Sequence, residues 1–240
     1  LYATKLVLSH PFVKGNLSFG AEYSHNKRNT TYLNPEGIIT DDEAMIKEGA
    51  TSAFVEYAKA FNQLQVQAGL RYEHVGFDYY NAGKLVDEQS KDYSNLFPSI
   101  MLSFPIKDVQ VQLGYASDIS RPSYHQLRSN TFYVNRYMYD KGNPFLMPSI
   151  THNVTLGASY KWMNLYVGYS HVKDDITNQT VAYSDDDPTI GLLTLHNCPA
   201  YDKFVAALNI APTAGCWTPQ LGLAVQKQWY EGETPWGKER

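Results

Sequence analysis

The 240 residues carry 20 Lys and Arg against 24 Asp and Glu, a net charge of −4, with a mean hydropathy of −0.39. So mild and so acidic a balance argues against a nucleic-acid partner. No run of about 18 apolar residues marks a transmembrane helix, and no basic start followed by an apolar core marks a signal peptide. Neither absence excludes a membrane, because a membrane-spanning strand shows only one face to lipid. The chain starts at Leu, so an internal or processed segment of a longer protein is expected.

The period of the hydrophobic pattern is two. In chain order, Leu17, Phe19, Ala21 and Tyr23 interleave with Ser18, Gly20, Glu22 and Ser24. Leu64, Val66, Ala68, Leu70 and Tyr72 interleave with Gln65, Gln67, Gly69, Arg71 and Glu73. Val109, Val111, Leu113 and Tyr115 alternate with Gln110, Gln112, Gly114 and Ala116, and Val154, Leu156, Ala158 and Tyr160 do the same further on. Successive side chains of a strand point to opposite faces, so each segment has one apolar and one polar face. The alternation predicts about ten strands, at 1–10, 16–26, 50–61, 64–78, 93–104, 109–120, 149–161, 165–182, 189–211 and 217–230. Residues 36–49 are acidic and read as loop rather than helix.

Every second connection is short: 11–15, 62–63, 105–108, 162–164 and 212–216. Between them lie long polar loops at 27–49, 79–92 and 121–147, with a shorter acidic one at 184–188. The fold class predicted is therefore all-β, an antiparallel up-and-down meander that is part of a larger transmembrane β-barrel, with residues 1–240 one partial barrel domain. Tyr is in excess, 19 residues, and Tyr23, Tyr72, Tyr115 and Tyr169 end apolar faces on strands leaving short turns. From Leu64 to Tyr72 the strand climbs roughly 20 Å at a tilt of ~40°, close to the ~25 Å apolar band of such barrels with its aromatic girdles. A soluble sandwich, propeller or lipocalin-like barrel shows the same alternation.

Residues 115–127 read YASDISRPSYHQL and residues 141–160 read KGNPFLMPSITHNVTLGASY. With QAGLRYE at 67–73 and NLFPSIMLSF at 95–104, they resemble the C-terminal barrel of TonB-dependent outer-membrane receptors, especially the Bacteroidetes-type outer membrane protein β-barrel family. Asp118-Ile119 departs from the family, which often has a basic pair there. The resemblance implies a barrel of about 22 strands closed by an N-terminal plug, residence in the bacterial outer membrane, and nutrient uptake energised by a TonB-type inner-membrane complex. Its partners would be outer-membrane lipid, the plug and remaining strands of the same protein, and a small-molecule, peptide or oligosaccharide ligand. A passive porin, an adhesin or a soluble β-rich binding module are the alternatives.

No catalytic motif, phosphate-binding loop or metal-ligand spacing occurs, so neither an enzyme nor a cofactor is expected. His152 and His171 are expected near one rim, and the run Asp185–Asp187 reads as a solvated loop tip. Pro122 is expected to end a strand, and Gly142 to permit a tight turn before Asn143-Pro144. The best ligand candidate is the loop 121–147. It carries Tyr124, His125, Arg128, Tyr133, Arg136, Tyr137 and Tyr139, aromatics that stack on sugars or rings and arginines that grip carboxylate or phosphate. Arg71, Glu73 and Glu22 are expected to face a wet lumen. Cys198 and Cys216 are expected to be free, separated by one descending strand.

Overall fold

The computed structural model describes residues 1–33, 41–184, 187–230, 232–234 and 237–239. The chain opens with β1 (Tyr2–Phe12), β2 (Gly15–Tyr32), β3 (Asp42–Phe61) and β4 (Leu64–Asn81), followed by a two-residue β5 (Lys84–Leu85) and a short 3-10 turn at Asp87–Gln89. Next come β6 (Lys91–Ile106), β7 (Val109–Ser120), β8 (Thr131–Asn135), β9 (Met138–Lys141) and β10 (Ser149–Tyr160). Then follow β11 (Met163–Lys173), β12 (Ile176–Ala182), β13 (Gly191–Asn197), β14 (Tyr201–Ile210) and β15 (Leu221–Tyr230), with a terminal pair β16 (Gly232–Thr234) and β17 (Gly237–Glu239).

The main sheet runs β1-β2-β3-β4-β6-β7-β10-β11-β14-β15, every neighbour antiparallel and every neighbour next in line along the wall. That is the predicted meander, ten strands in its main path. At one end four hairpins close in two residues. Their turns put Val13, Lys14, Asn62, Lys107 and Lys161 at φ between 46° and 59°, the left-handed geometry that matches strand twist in tight hairpins. β14 and β15 are instead joined by the ten residues 211–220, so the expected turn 212–216 is longer and the expected strand 217–230 starts at Leu221. At the other end the connections are long.

The register makes the two faces continuous. Leu156 lies opposite Leu113 on one side and Val167 on the other, and Val55 opposite Leu70 and Phe19. Leu6, Phe19, Val55, Leu70, Ile100, Leu113, Val154, Leu165 and Val225 are all exposed, which is the arrangement of a surface made for hydrocarbon rather than water. Val111 faces the same way but is 9% exposed, lying between its register partners Phe104 and Ala158.

Four further expectations need correction. Residues 27–49 are not chiefly loop: β2 and β3 stay paired as far as Tyr32 and Asp42, because polar alternation above the membrane continues the ladder while losing the apolar signature. Residues 36–40 of the expected loop lie outside the described residues, and 42–49 belong to β3. The strand 165–182 breaks at Asp174, whose φ is 56°, and 189–211 breaks after Asn197, where Pro199 cannot donate to a ladder. Gly142 has no positive φ and serves packing, described below. Residues 185–186 of the acidic run lie outside the described residues; Asp187 accepts from the backbone and hydroxyl of Thr189 at 3.0 and 2.5 Å.

Both cysteines are free thiols. Cys198 stands at the break above β14 and Cys216 in the connection below it, so the length of β14, on the order of 30 Å, separates them. The separation holds although 189–211 is not one strand.

Candidate functional site

Above the tyrosine girdle the inward face changes character. Ala44 and Ile46 on β3 and Val75, Phe77 and Tyr79 on β4 are buried there, on the face that lower down carries Glu73 and Arg71. What buries most of them is the loop after β7: Leu127 and Leu146 join Ala44, Ile46, Phe77 and Tyr79 in one cluster, with Val86, Tyr124, Ile176 and Leu195 packed around it. The loop therefore folds inward over the mouth of the wall rather than standing away from it.

Polar contacts fix that position. The Tyr79 hydroxyl donates to Ser129 Oγ at 2.7 Å, and Asn26 Nδ2 to the Tyr124 hydroxyl at 2.5 Å. Asn143 Nδ2 donates to the Leu195 carbonyl at 2.8 Å, and Asn197 exchanges hydrogen bonds with the backbone of Met147 at 2.8 and 2.9 Å. Lys91 lies above the girdle, opposite Phe77. Its ammonium donates to the carbonyls of Pro144, at 3.0 Å, and Leu146, and burial pushes its pKa down to about 8. Burial also raises the Tyr124 phenol, and the charge of Glu48 adds to the effect.

Gly142 sits where these strands of loop cross. A Cβ there would stand 2.6 Å from the carbonyl oxygens of Gln126 and Arg128. Gly142→Val should loosen the docked loop by about 1–3 kcal/mol, the usual cost of overpacking, read as faster amide exchange at Leu127, Asn143 and Leu146. Exchange as slow as in the parent would show that the loop is not held at this crossing.

Below the cluster runs a ladder of inward-facing charges. Lys5 Nζ is 2.5 Å from Glu22, Arg71 is 2.7 Å from Glu22 and 3.2 Å from Glu73, and Arg121 pairs with the other Glu73 oxygen. These groups and Ser52 line an open hollow of about 370 Å³. The wet-lumen reading of Arg71, Glu73 and Glu22 agrees with this geometry. The pairing of Arg121 with Glu73 is not legible in the sequence, since 48 positions separate them and only the register of β4, β6 and β7 brings them together.

The expected ligand residues divide into two groups. Arg128 is interior: it pairs with Asp140, lies 4.7 Å over the Phe132 ring and contacts His125. Tyr124 belongs to the cluster edge, with Arg28 5.6 Å over its ring. Arg128 and Tyr124 thus shape the loop, and exposed His125 follows Arg128. Tyr133, Arg136, Tyr137 and Tyr139 instead gather on the hairpin β8–β9. Tyr133 and Tyr137 are exposed, Arg136 rests 4.5 Å over the Tyr137 ring, and Tyr139 meets Tyr133 edge-on at 5.8 Å.

The hairpin does not stand alone. β9 pairs in parallel with β13, so the β8–β9 and β12–β13 hairpins form one four-stranded sheet, β12-β13-β9-β8. That pairing brings Tyr183 onto Tyr139, ring centroids 4.3 Å apart at 22°. Tyr183, missed in the sequence, extends the Tyr133–Tyr139 pair into a row of three rings, and Tyr137 stands at the turn of the same hairpin. His152 and His171 are register partners on the outward face, with His171 Nδ1 2.8 Å from Asp202.

A family model for outer membrane protein β-barrels matches residues 1–234. The chain belongs to that family. This barrel segment is accordingly a protein of the bacterial outer membrane, and its exposed apolar face meets lipid. No curated protein matches it in sequence. Among solved structures it is similar to the copper transporter OprC, with a TM-score of 0.68 at 12% identity over 95% of this chain and 38% of that one. It is similar also to the FrpB iron transporter of Neisseria meningitidis, F5-1 variant, with a TM-score of 0.61 at 14% identity over 97% of this chain and 37% of that one. The third is the ferric yersiniabactin uptake receptor FyuA of Yersinia pestis, with a TM-score of 0.58 at 15% identity over 95% and 35%. The segment thus spans little more than a third of those chains, and at such identities the likeness is one of fold.

Proposed function

We propose that this segment forms wall and extracellular loops of a TonB-dependent receptor for active uptake of a nutrient. The observation that carries the reading is the inward fold of the loop 121–148 over the lumenal face, which places a built surface across the path a solute must take. A receptor that captures before it transports needs such a surface at its mouth. The uptake functions of the structurally similar proteins, for copper, iron and ferric yersiniabactin, support the same reading. β1 and β15 each have one neighbour in the main sheet, and unpaired edges are an aggregation hazard, so the remaining strands of a larger barrel complete the wall. A plug within it links the receptor to the energising inner-membrane complex.

Capture falls to the aromatic surface of the small sheet: Tyr133, Arg136, Tyr137 and Tyr139, joined by Tyr183. Flat aromatic faces beside a guanidinium suit a small molecule, a peptide or an oligosaccharide bearing both a ring and an anionic group. In the complete receptor, Arg136→Ala and Tyr137→Ala should each weaken ligand binding by about 1–3 kcal/mol without loss of the heat-modifiable folded band. Unchanged affinity in both folded variants would make the hairpin a structural cap only. Uptake by intact cells should also stop when the energising complex is deleted; ligand entry that continues would identify a passive pore.

A further inference from the structure

One row of the outward face differs in kind from the row beneath it. Just past the girdle tyrosines Tyr115 and Tyr169, the register lines up Ser117, His152, His171, Asp202 and Trp229 on β7, β10, β11, β14 and β15. The row beneath holds Tyr115, Val154, Tyr169 and Phe204. Two imidazoles therefore stand side by side on paired strands, where directly opposite Cβ atoms lie about 4.5–5.5 Å apart. Nineteen positions separate them along the chain, so no ligand spacing announces the pair. The two-residue turn after Tyr160 creates it.

Each ring is held through one nitrogen by a neighbour on its far side. His171 Nδ1 donates to Asp202 Oδ1 on β14 at 2.8 Å, and the Tyr169 hydroxyl donates to the same oxygen at 2.8 Å. His152 Nδ1 lies 3.0 Å from the Tyr115 hydroxyl on β7, and the two rings are stacked at 11°. The Nδ1 atoms thus point away from the seam between β10 and β11, toward opposite neighbours. In an imidazole Nε2 lies on the other edge of the ring from Nδ1, so both Nε2 atoms turn toward the seam. A proton on each Nδ1 leaves both Nε2 lone pairs free. An imidazole oriented through one nitrogen by a carboxylate or another oxygen, with the second nitrogen open, is the arrangement of metal-ligating histidines.

We infer that His152 and His171 bind one divalent transition-metal ion between their Nε2 atoms, with Asp202 as the positioning residue for His171. Imidazole nitrogen suits zinc, copper and nickel. Among the described residues no set of three imidazole, thiolate or carboxylate ligands forms, so water fills the remaining coordination positions. The ion clips the start of β10 to the end of β11. β10 begins at Ser149, where the loop 121–148 re-enters the wall, and β11 ends at Lys173, so the clip fixes the foot of that loop. His25 and His74 also follow girdle tyrosines by two residues, but they stand on β2 and β4 with β3 between them and cannot share an ion in this way.

The test uses the complete barrel in non-ionic detergent, with folding of each variant read from its heat-modifiable band. Equilibrium dialysis against Zn2+ should find one ion fewer on His152→Ala and on His171→Ala than on the parent. The double variant should lose no more than either single one, and His74→Ala should bind as the parent does. With Cu2+, the parent-minus-variant electron paramagnetic resonance spectrum should carry hyperfine splitting from two imidazole nitrogens. Asp202→Asn should weaken the ion by about 10–100-fold and keep the two-nitrogen signature, as expected of a group that orients a ligand. Parent stoichiometry in either folded histidine variant, a second ion lost in the double variant, or splitting from a single nitrogen would each overturn the proposal. An affinity in Asp202→Asn equal to the parent's would overturn the role of Asp202. None of these outcomes depends on ligand capture by the aromatic hairpin.

Discussion

Arginine at Leu156 or Leu113 should destabilise the complete barrel by about 2–4 kcal/mol, whereas arginine at Gln112 should cost far less. Leu156 and Leu113 are register partners, Leu113 lying two residues below the girdle tyrosine Tyr115 and four above Val109, on the exposed apolar face, where a charged group must be taken into hydrocarbon or drag water and headgroups toward it. Gln112 is one residue away on the same strand but points to the opposite face, opposite Ser103 and Gly157. Its guanidinium would enter the wet lumen. Reversible unfolding from bilayers, measured for the three variants, provides the comparison. Equal costs would show that the two faces are not lipid and lumen. Val111 is a poorer probe than its neighbours, because it is already covered by side chains of its own face and an arginine there would add a packing penalty to the transfer one.

Loss of the Glu73 carboxylate should release the loop that covers the lumen. Glu73 is 8% exposed and receives Arg71 on one oxygen and Arg121 on the other. Glu73→Ala leaves Arg71 with Glu22 and leaves Arg121 with only the charge of Glu48 nearby, without its direct ion pair. Removing one member of a buried pair commonly costs about 3–5 kcal/mol. Both guanidiniums here are about one-third exposed, so solvent screening reduces the expected cost to about 1–3 kcal/mol. The loss should be local. Amide exchange should quicken by about one to two orders of magnitude at Gln126, Leu127, Asn143 and Leu146, whose backbone donors are bonded within the loop, while β4 and β6 keep their protection. Glu73→Gln, which still accepts hydrogen bonds but carries no charge, should lie between the two. A loop as protected in Glu73→Ala as in the parent would mean that the apolar cluster alone holds it.

Much of this protein is set by its sequence. Strict alternation from Leu64 to Tyr72 or from Val109 to Tyr115 fixes a strand, its two faces and its end at the girdle, because side-chain direction in a strand follows from local geometry alone. Short turns at one end fix the antiparallel order, since two residues cannot bridge anything but a hairpin. Both kinds of information reside in neighbouring residues. The inward fold of the loop 121–148 does not. It depends on Ala44, Ile46, Phe77 and Tyr79 presenting an apolar patch on a face that is polar below, and alternation within a single strand does not say that another segment will cover it. The parallel pairing of β9 with β13 joins hairpins about 50 residues apart in sequence, and only that pairing sets Tyr183 on Tyr139. Gly142 shows the same division: its identity is plain in the sequence, but the need for it comes from carbonyl groups of residues 126 and 128 that approach only once the loop is folded. Local periodicity determined the wall. Tertiary contact, through apolar burial and the pairing of distant hairpins, decided how the wall is covered and which side chains stand at its mouth.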